Sequence, residues 1–224
     1  GPLQDRTPEE SFEFSGFYGA NLMDEIKRYA SVAARISKKY SSDVIHTHDW
    51  MTFPAGIAAK RVSKKPLIVH VHSTEFDRAG AHINKAIYGV EKLGFVEADK
   101  IVTVSNWTKQ IVMSRYGIHE EKIEVVHNGI LPREQPGEFT FPDIGSHFIA
   151  FLGRVTHQKG PCYFVEAARK VLEEFPEAHF IVAGAGDLLP QIIEQVATLN
   201  MSTNFHFTGF LTGDQVDRIW SLTD

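Results

Sequence analysis

The sequence predicts an α/β fold with parallel sheets, arranged as two successive Rossmann-like units. Three observations carry this. Short apolar strand candidates alternate with helix-period segments from Leu22 to Val126. A stretch dense in Gly and Pro then interrupts the pattern. The alternation restarts at His147 and runs on towards Asp224. Alternation with short joints is the signature of βαβ units, whose crossovers onto a parallel sheet are right-handed.

Each element has a local reason. Leu22, Ile26, Tyr29, Ala30, Ala33 and Ile36 fall at helical spacing, so a helix is expected over 22–40. A strand over 43–47 and a helix over 54–62 follow. The run 67–71 is mainly apolar and suits a strand buried on both faces. Next come a helix over 83–96, a strand over 100–104, a helix over 106–116 capped by Ser105, and a strand over 123–126. Asn128-Gly129 reads as a turn. Gly129, Pro132, Pro136, Gly137, Pro142 and Gly145 leave little room for regular structure, so 131–146 is read as a linker between domains 1–130 and 147–224. The second unit should contain strands at 147–152, 179–183 and 205–207, with helices at 161–174, 188–199 and 214–220. Three strands are few for a doubly wound domain, so this unit is read as incomplete.

Composition limits the function classes. The 224 residues are 43% hydrophobic and 23% charged, which predicts a packed soluble core. The formal net charge of -5 argues against a nucleic-acid partner, which normally meets a basic surplus. No apolar run approaches the roughly 18 residues of a membrane span. The single cysteine, Cys162, excludes a disulfide framework within the chain and fits a reducing, cytoplasmic setting.

The strongest motif opens the second unit: Gly153-Arg154-Val155-Thr156-His157-Gln158-Lys159-Gly160-Pro161. It follows a strand and leads into a helix, so its cations should sit where open α/β sheets bind ligands. Arg154 offers a planar fork for phosphate oxygens and Lys159 a mobile point charge. The helix N-terminus adds favourable partial charge. The alternative is a solvated turn with two surface cations. Ala183-Gly184-Ala185-Gly186-Asp187 lacks the third glycine of a dinucleotide fingerprint, because position 189 is Leu189. A tight turn with Asp187 as helix cap explains it almost as well.

In the first unit two strands end in paired histidines, His46-Thr47-His48-Asp49 and His70-Val71-His72-Ser73-Thr74-Glu75. Residues two apart on a strand share a face. Zinc is weighed here, because four histidines with Asp49 and Glu75 form a ligand inventory. The further ligands of a two-metal hydrolase are not evident, and no metal is expected. His46 and His70, inside the strands, read as satisfied core histidines; His48, Asp49 and His72 lie at the mouths, where function concentrates.

Taken in order, HTHDW from His46, HVHSTEFDRAG from His70, IVTVSNWT from Ile101, VVHNGI from Val125, FLGRVTHQKGPCYFVEAA from Phe151, GAGD from Gly184 and FTGFL from Phe207 resemble the retaining glycosyltransferases of the glycogen-synthase and sucrose-phosphate-synthase type. The resemblance, to the family 4 or group 1 glycosyltransferases, covers about Tyr18 to Asp224. It implies a GT-B architecture, with an acceptor-side first domain and a donor-nucleotide second domain. It implies a UDP-, ADP- or GDP-sugar donor, a carbohydrate or glycolipid acceptor, retention at the anomeric carbon, and no obligatory metal or other cofactor. By the same resemblance Arg154 and Lys159 hold the donor diphosphate, with Gly153 and Gly184 beside them. Gly209, Phe210 and Leu211 lie by the nucleobase, and His72 is the active-site histidine. His48, Asp49 and Glu75 belong to the acceptor side. A sugar-nucleotide epimerase, a phosphorylase and a non-catalytic phosphate-binding module are the competing readings. The family's paired glutamates, seven residues apart and beyond the last helix here, have no counterpart. Glu166 and Glu174 share the spacing but stand at the wrong place in the order. The family's first strand and glycine-rich loop are also missing. The chain is therefore expected to be shortened at both ends and to be inactive alone.

Overall fold

A computed structural model describes residues 21–80, 82–130 and 147–223. The chain divides into two compact units, Gly1–Gly129 and Ile130–Asp224. The expected linker, 131–146, lies outside the described residues.

In the first unit the helices are α1 (Leu22–Lys39), α2 (Phe53–Ser63), α3 (Glu75–Ala79), α4 (Lys85–Glu97) and α5 (Asn106–Tyr116). The strands β1 (Ile45–His48), β2 (Leu67–Val71), β3 (Lys100–Thr103) and β4 (Ile123–Val125) form a parallel sheet in the order β1-β2-β3-β4. Local chemistry fixes the boundaries. Pro54 occupies the first turn of α2, where no intrahelical N–H is needed. Asn84 accepts the Ala86 and Ile87 N–H groups at the start of α4. The Ser105 hydroxyl accepts the Thr108 N–H at 3.0 Å and starts α5, as the sequence predicts.

Leu67, Val69, Val71, Ile101 and Ile123 pack with Phe53, Ile57, Phe95, Val112 and Tyr116 in one core. That core lies on one face of the sheet. Burial along β2 alternates rather than running continuously. The expectation of a strand buried on both faces therefore fails among the described residues, because Ile68 and His70 point to the opposite, more open face.

The second unit contains β5 (Phe148–Leu152), α6 (Pro161–Glu174), β6 (His179–Ala183), α7 (Leu189–Thr198), β7 (Phe205–Gly209) and α8 (Asp214–Leu222). Its three strands form a parallel sheet in the order β5-β6-β7. Val155, Val165, Ala168, Phe180, Val182, Ile192, Val196 and Phe205 make its core. A bulge between Val182 and Ala183 brings Ala183 opposite Gly209, so all three strands end level.

Candidate functional site

At the carboxyl end of the first sheet, β1 and β2 run parallel with His48 opposite His70. The imidazoles of His46, His48, His70 and His72 form a ladder on the face away from the core. Ring centroids lie 4.5 Å apart for His46–His48, 4.9 Å for His48–His70 and 4.4 Å for His70–His72. His48 Nδ1 and His72 Nε2 are hydrogen-bonded at 3.0 Å, one ring donating and the other accepting. Burial, then the neighbouring imidazoles of His72, His48 and His46, lowers the His70 pKa to about 4. Burial and the His48 and His72 rings lower His46 as well. Both shifts favour the neutral imidazole.

His46 and His70 do not behave as satisfied core histidines. His46 is exposed, and both ring nitrogens of His70 are shielded yet lack a hydrogen-bond partner. Asp49 carries a structural duty that its mouth position did not announce. It adopts a left-handed backbone, with φ 60°. Its N–H donates to the His70 carbonyl at 2.9 Å, and its Oδ1 accepts the His72 N–H at 2.8 Å. One residue thus ties together the ends of β1 and β2 and fixes where His48 and His72 stand.

Glu75, only 4% exposed, accepts the Asn84 N–H at 2.9 Å and an Arg78 Nη2–H at 3.3 Å. Its carboxylate is thus engaged inside the first unit, by a backbone N–H and a guanidinium. Beside it lies Glu91, 1% exposed, which accepts from Arg78 Nη2, the Tyr116 hydroxyl and the Glu75 N–H. Burial raises the Glu91 pKa, while the Tyr116 and Arg78 hydrogen bonds oppose the rise. Arg78 Nη1 also donates to the Ser73 carbonyl at 2.7 Å and to Ser73 Oγ at 3.2 Å. This network holds the turn immediately after His72.

In the second unit, Leu152, Ala183 and Gly209 mark the carboxyl ends of the three strands. The loop after β5 is anchored by Val155, which is fully buried. The Val155 N–H donates to the Ala185 carbonyl at 2.9 Å, and its carbonyl accepts the Leu188 N–H at 3.1 Å. Arg154 and Lys159 are both exposed on this loop. Neither has an ion pair among the described residues. A 3-10 turn at His157–Lys159 leads through Gly160, at φ 65°, into α6, whose first turn has no side-chain cap. Lys159 thus stands in the chain directly before the Gly160-Pro161 start of α6, where the Tyr163 and Phe164 N–H groups donate to the Gly160 carbonyl; a cation leading into a helix N-terminus is a setting suited to an anion.

Gly184 and Gly186 have a packing reason. A Cβ on Gly184 would overlap the Gly153 carbonyl, and one on Gly186 would overlap the Val155 backbone. These glycines let the β6 loop close onto the cation-bearing β5 loop. Asp187 does not cap α7: the cap position is Leu188, with no side-chain hydrogen bond. Asn128-Gly129 forms no turn. Phe210, at the end of β7, is 76% exposed, with Gly209 before it at φ 72° and Leu211 after it. Glu166 accepts from Gln195 at 2.9 Å and pairs with Arg169, a helix-surface role. No helix among the described residues is long and apolar enough to cross a membrane.

Comparison with known proteins is consistent with this layout. Residues 10–133 match Glycosyltransferase Family 4, and residues 139–224 match Glycosyl transferases group 1. The uncharacterized glycosyltransferase MJ1607 of Methanocaldococcus jannaschii is 33% identical over 196 residues, covering 81% of this chain and 50% of that protein. Sucrose-phosphate synthase from Thermosynechococcus elongatus superposes with a TM-score of 0.72 at 17% identity, over 100% of this chain and 56% of that one. Anabaena HepE in complex with UDP-glucose gives 0.67 at 17% identity, over 88% and 54%. The chain spans about half the length of the relatives it matches. The fold class is α/β of the GT-B type, with part of the full fold present. On these grounds the chain belongs to Glycosyltransferase Family 4.

Proposed function

We propose that the protein transfers a sugar from a nucleotide-sugar donor to an acceptor hydroxyl, with retention at the anomeric carbon. The observation that carries this reading is the pair of exposed cations, Arg154 and Lys159, on the loop that leads into α6, neither with an ion pair among the described residues. A leaving nucleoside diphosphate gains negative charge as the glycosidic bond breaks. Two cations and a helix N-terminus aimed at that charge stabilise the transition state more than the ground state. They do the work that a divalent ion does in other transferases, so no metal is assigned to the transfer step.

The remaining roles follow the same division. Unit 2 takes the donor, with Gly153 and Gly184 shaping the phosphate loop and Gly209, Phe210 and Leu211 beside the base. The HepE structure with UDP-glucose supports a nucleotide-sugar donor. Unit 1 takes the acceptor, a carbohydrate or a glycolipid. His72 contacts the donor sugar. His48 sits on the acceptor side, and Asp49 acts as a positioning residue through its bond to the His72 N–H. A cytoplasmic setting fits the free thiol of Cys162.

A donor screen with the full-length protein, with product configuration read by NMR, tests the proposal. Lys159→Ala should lower turnover by about 10²–10³-fold, the usual effect of removing one such charge-stabilising donor. Equal turnover by wild type and variant, or an inverted product, rejects it.

A further inference from the structure

We propose that the histidine ladder on the outer face of the first unit is a binding site for one zinc-class divalent cation, held by a ring nitrogen each from His46, His48 and His70. Among the described residues these three offer ligand atoms all within 4.8 Å of one another. The strand register produces this: His46 and His48 are two apart on β1, and His70 stands opposite His48 on β2. A His-x-His pair on one strand with a third imidazole from its neighbour is one way to build a three-histidine site with an open fourth position.

Two further features point to a ligand. Both ring nitrogens of His70 are shielded from solvent without any hydrogen bond. A buried polar atom left unpaired calls for an occupant, an ion or a water. His48 keeps one ring nitrogen beyond its bond to His72, and that bond orients it as an outer partner orients a metal-bound imidazole. A tetrahedral zinc with bonds of about 2.0–2.1 Å needs nitrogens roughly 3.3 Å apart. The His46 and His48 rings, both exposed, would have to rotate to close the difference. Imidazole favours zinc, copper and nickel over magnesium and calcium, which prefer oxygen ligands.

This site is made only of first-unit residues and does not depend on the transferase reading. Occupancy would immobilise His48, and through it His72. The test is a Zn2+ titration of the chelator-stripped 224-residue chain, by calorimetry and by competition with a chromophoric chelator. Co2+ absorption then reports coordination number. The expected result is one equivalent per chain, lost in His46→Gln and His70→Gln and retained in His206→Gln. His72→Gln should weaken binding by about 10- to 100-fold, the usual outer-partner effect. Circular dichroism checks that each variant folds. Absence of stoichiometric Zn2+ binding by the wild-type chain overturns the proposal, and so does binding that survives both His46→Gln and His70→Gln. Failure here leaves nucleotide binding at unit 2 unaffected, so the two readings stand or fall separately.

Discussion

Replacing Arg78 by Met should destabilise the first unit strongly, and more so at high pH. The Glu75 and Glu91 side chains are 5% and 2% exposed, and Arg78 is the cation that pairs with both. Removing one partner of a buried pair costs about 3–5 kcal/mol, because the other charge stays buried without compensation. Arg78 itself is 24% exposed, so solvent screens part of the interaction and the expected loss is about 3 kcal/mol. The sign of the pH effect follows from linkage. Burial already raises the Glu91 pKa, and Arg78 opposes that rise. Without Arg78 the folded-state pKa climbs further above the unfolded value of about 4.3. The folded state then binds the proton more tightly than the unfolded state. Stability is recovered as pH falls, and the deficit of the variant is larger at pH 8 than at pH 5. Urea unfolding followed by tryptophan emission, with Trp50 buried in the same core, measures both quantities. A loss below about 1 kcal/mol, or the same deficit at both pH values, would refute the reasoning.

Further outcomes are expected elsewhere. Gly184→Ala sets a methyl against the Gly153 carbonyl at φ 152°, and should cost about 1–3 kcal/mol of unit 2 stability by overpacking; thermal unfolding at unchanged midpoint would contradict the loop-to-loop account. Ser105→Ala removes the α5 cap and should cost about 1 kcal/mol, with Ser105→Asp recovering most of it in the same urea assay. His206 has its pKa lowered by burial and then by His179, whose ring nitrogen lies 3.0 Å away. Its contribution to stability is therefore complete above the unfolded pKa of about 6.5 and is lost as pH falls below that. His206→Asn should flatten the decline between pH 7 and pH 5; an unchanged slope would remove His206 as its source.

Sequence reading recovered those elements whose signals are local. The helices Asn106–Tyr116 and Pro161–Glu174 and the strands Leu67–Val71 and His179–Ala183 match because a cap, a proline or an apolar run lies at their edges. Helix α3 escaped it. Five residues show no periodicity, and what holds them is the Thr74 N–H and hydroxyl donating to Asp77. The Glu91 network was equally invisible, since its partners Arg78, Glu75 and Tyr116 come from 13, 16 and 25 residues away. Alternation placed each histidine pair on one face but could not say which face the helices cover. The stretch Gly184-Ala185-Gly186 reads as an incomplete fingerprint or a capped turn, whereas a Cβ on Gly184 or Gly186 would meet the backbone of Gly153 or Val155. What was legible in the site was its charge: Arg154 and Lys159 stand on the strand-to-helix loop where their order in the chain put them.

That loop is where the account is most directly exposed to measurement. Calorimetric titration of the chain with UDP, ADP and GDP, in buffer containing a chelator, should reveal binding of at least one nucleotide. Arg154→Ala and Lys159→Ala should each weaken it by about 1.5–3 kcal/mol, the worth of a charged hydrogen bond. Unchanged affinity in the double variant, or no heat from any of the three nucleotides with the wild-type chain, would contradict the assignment of this loop to the leaving diphosphate.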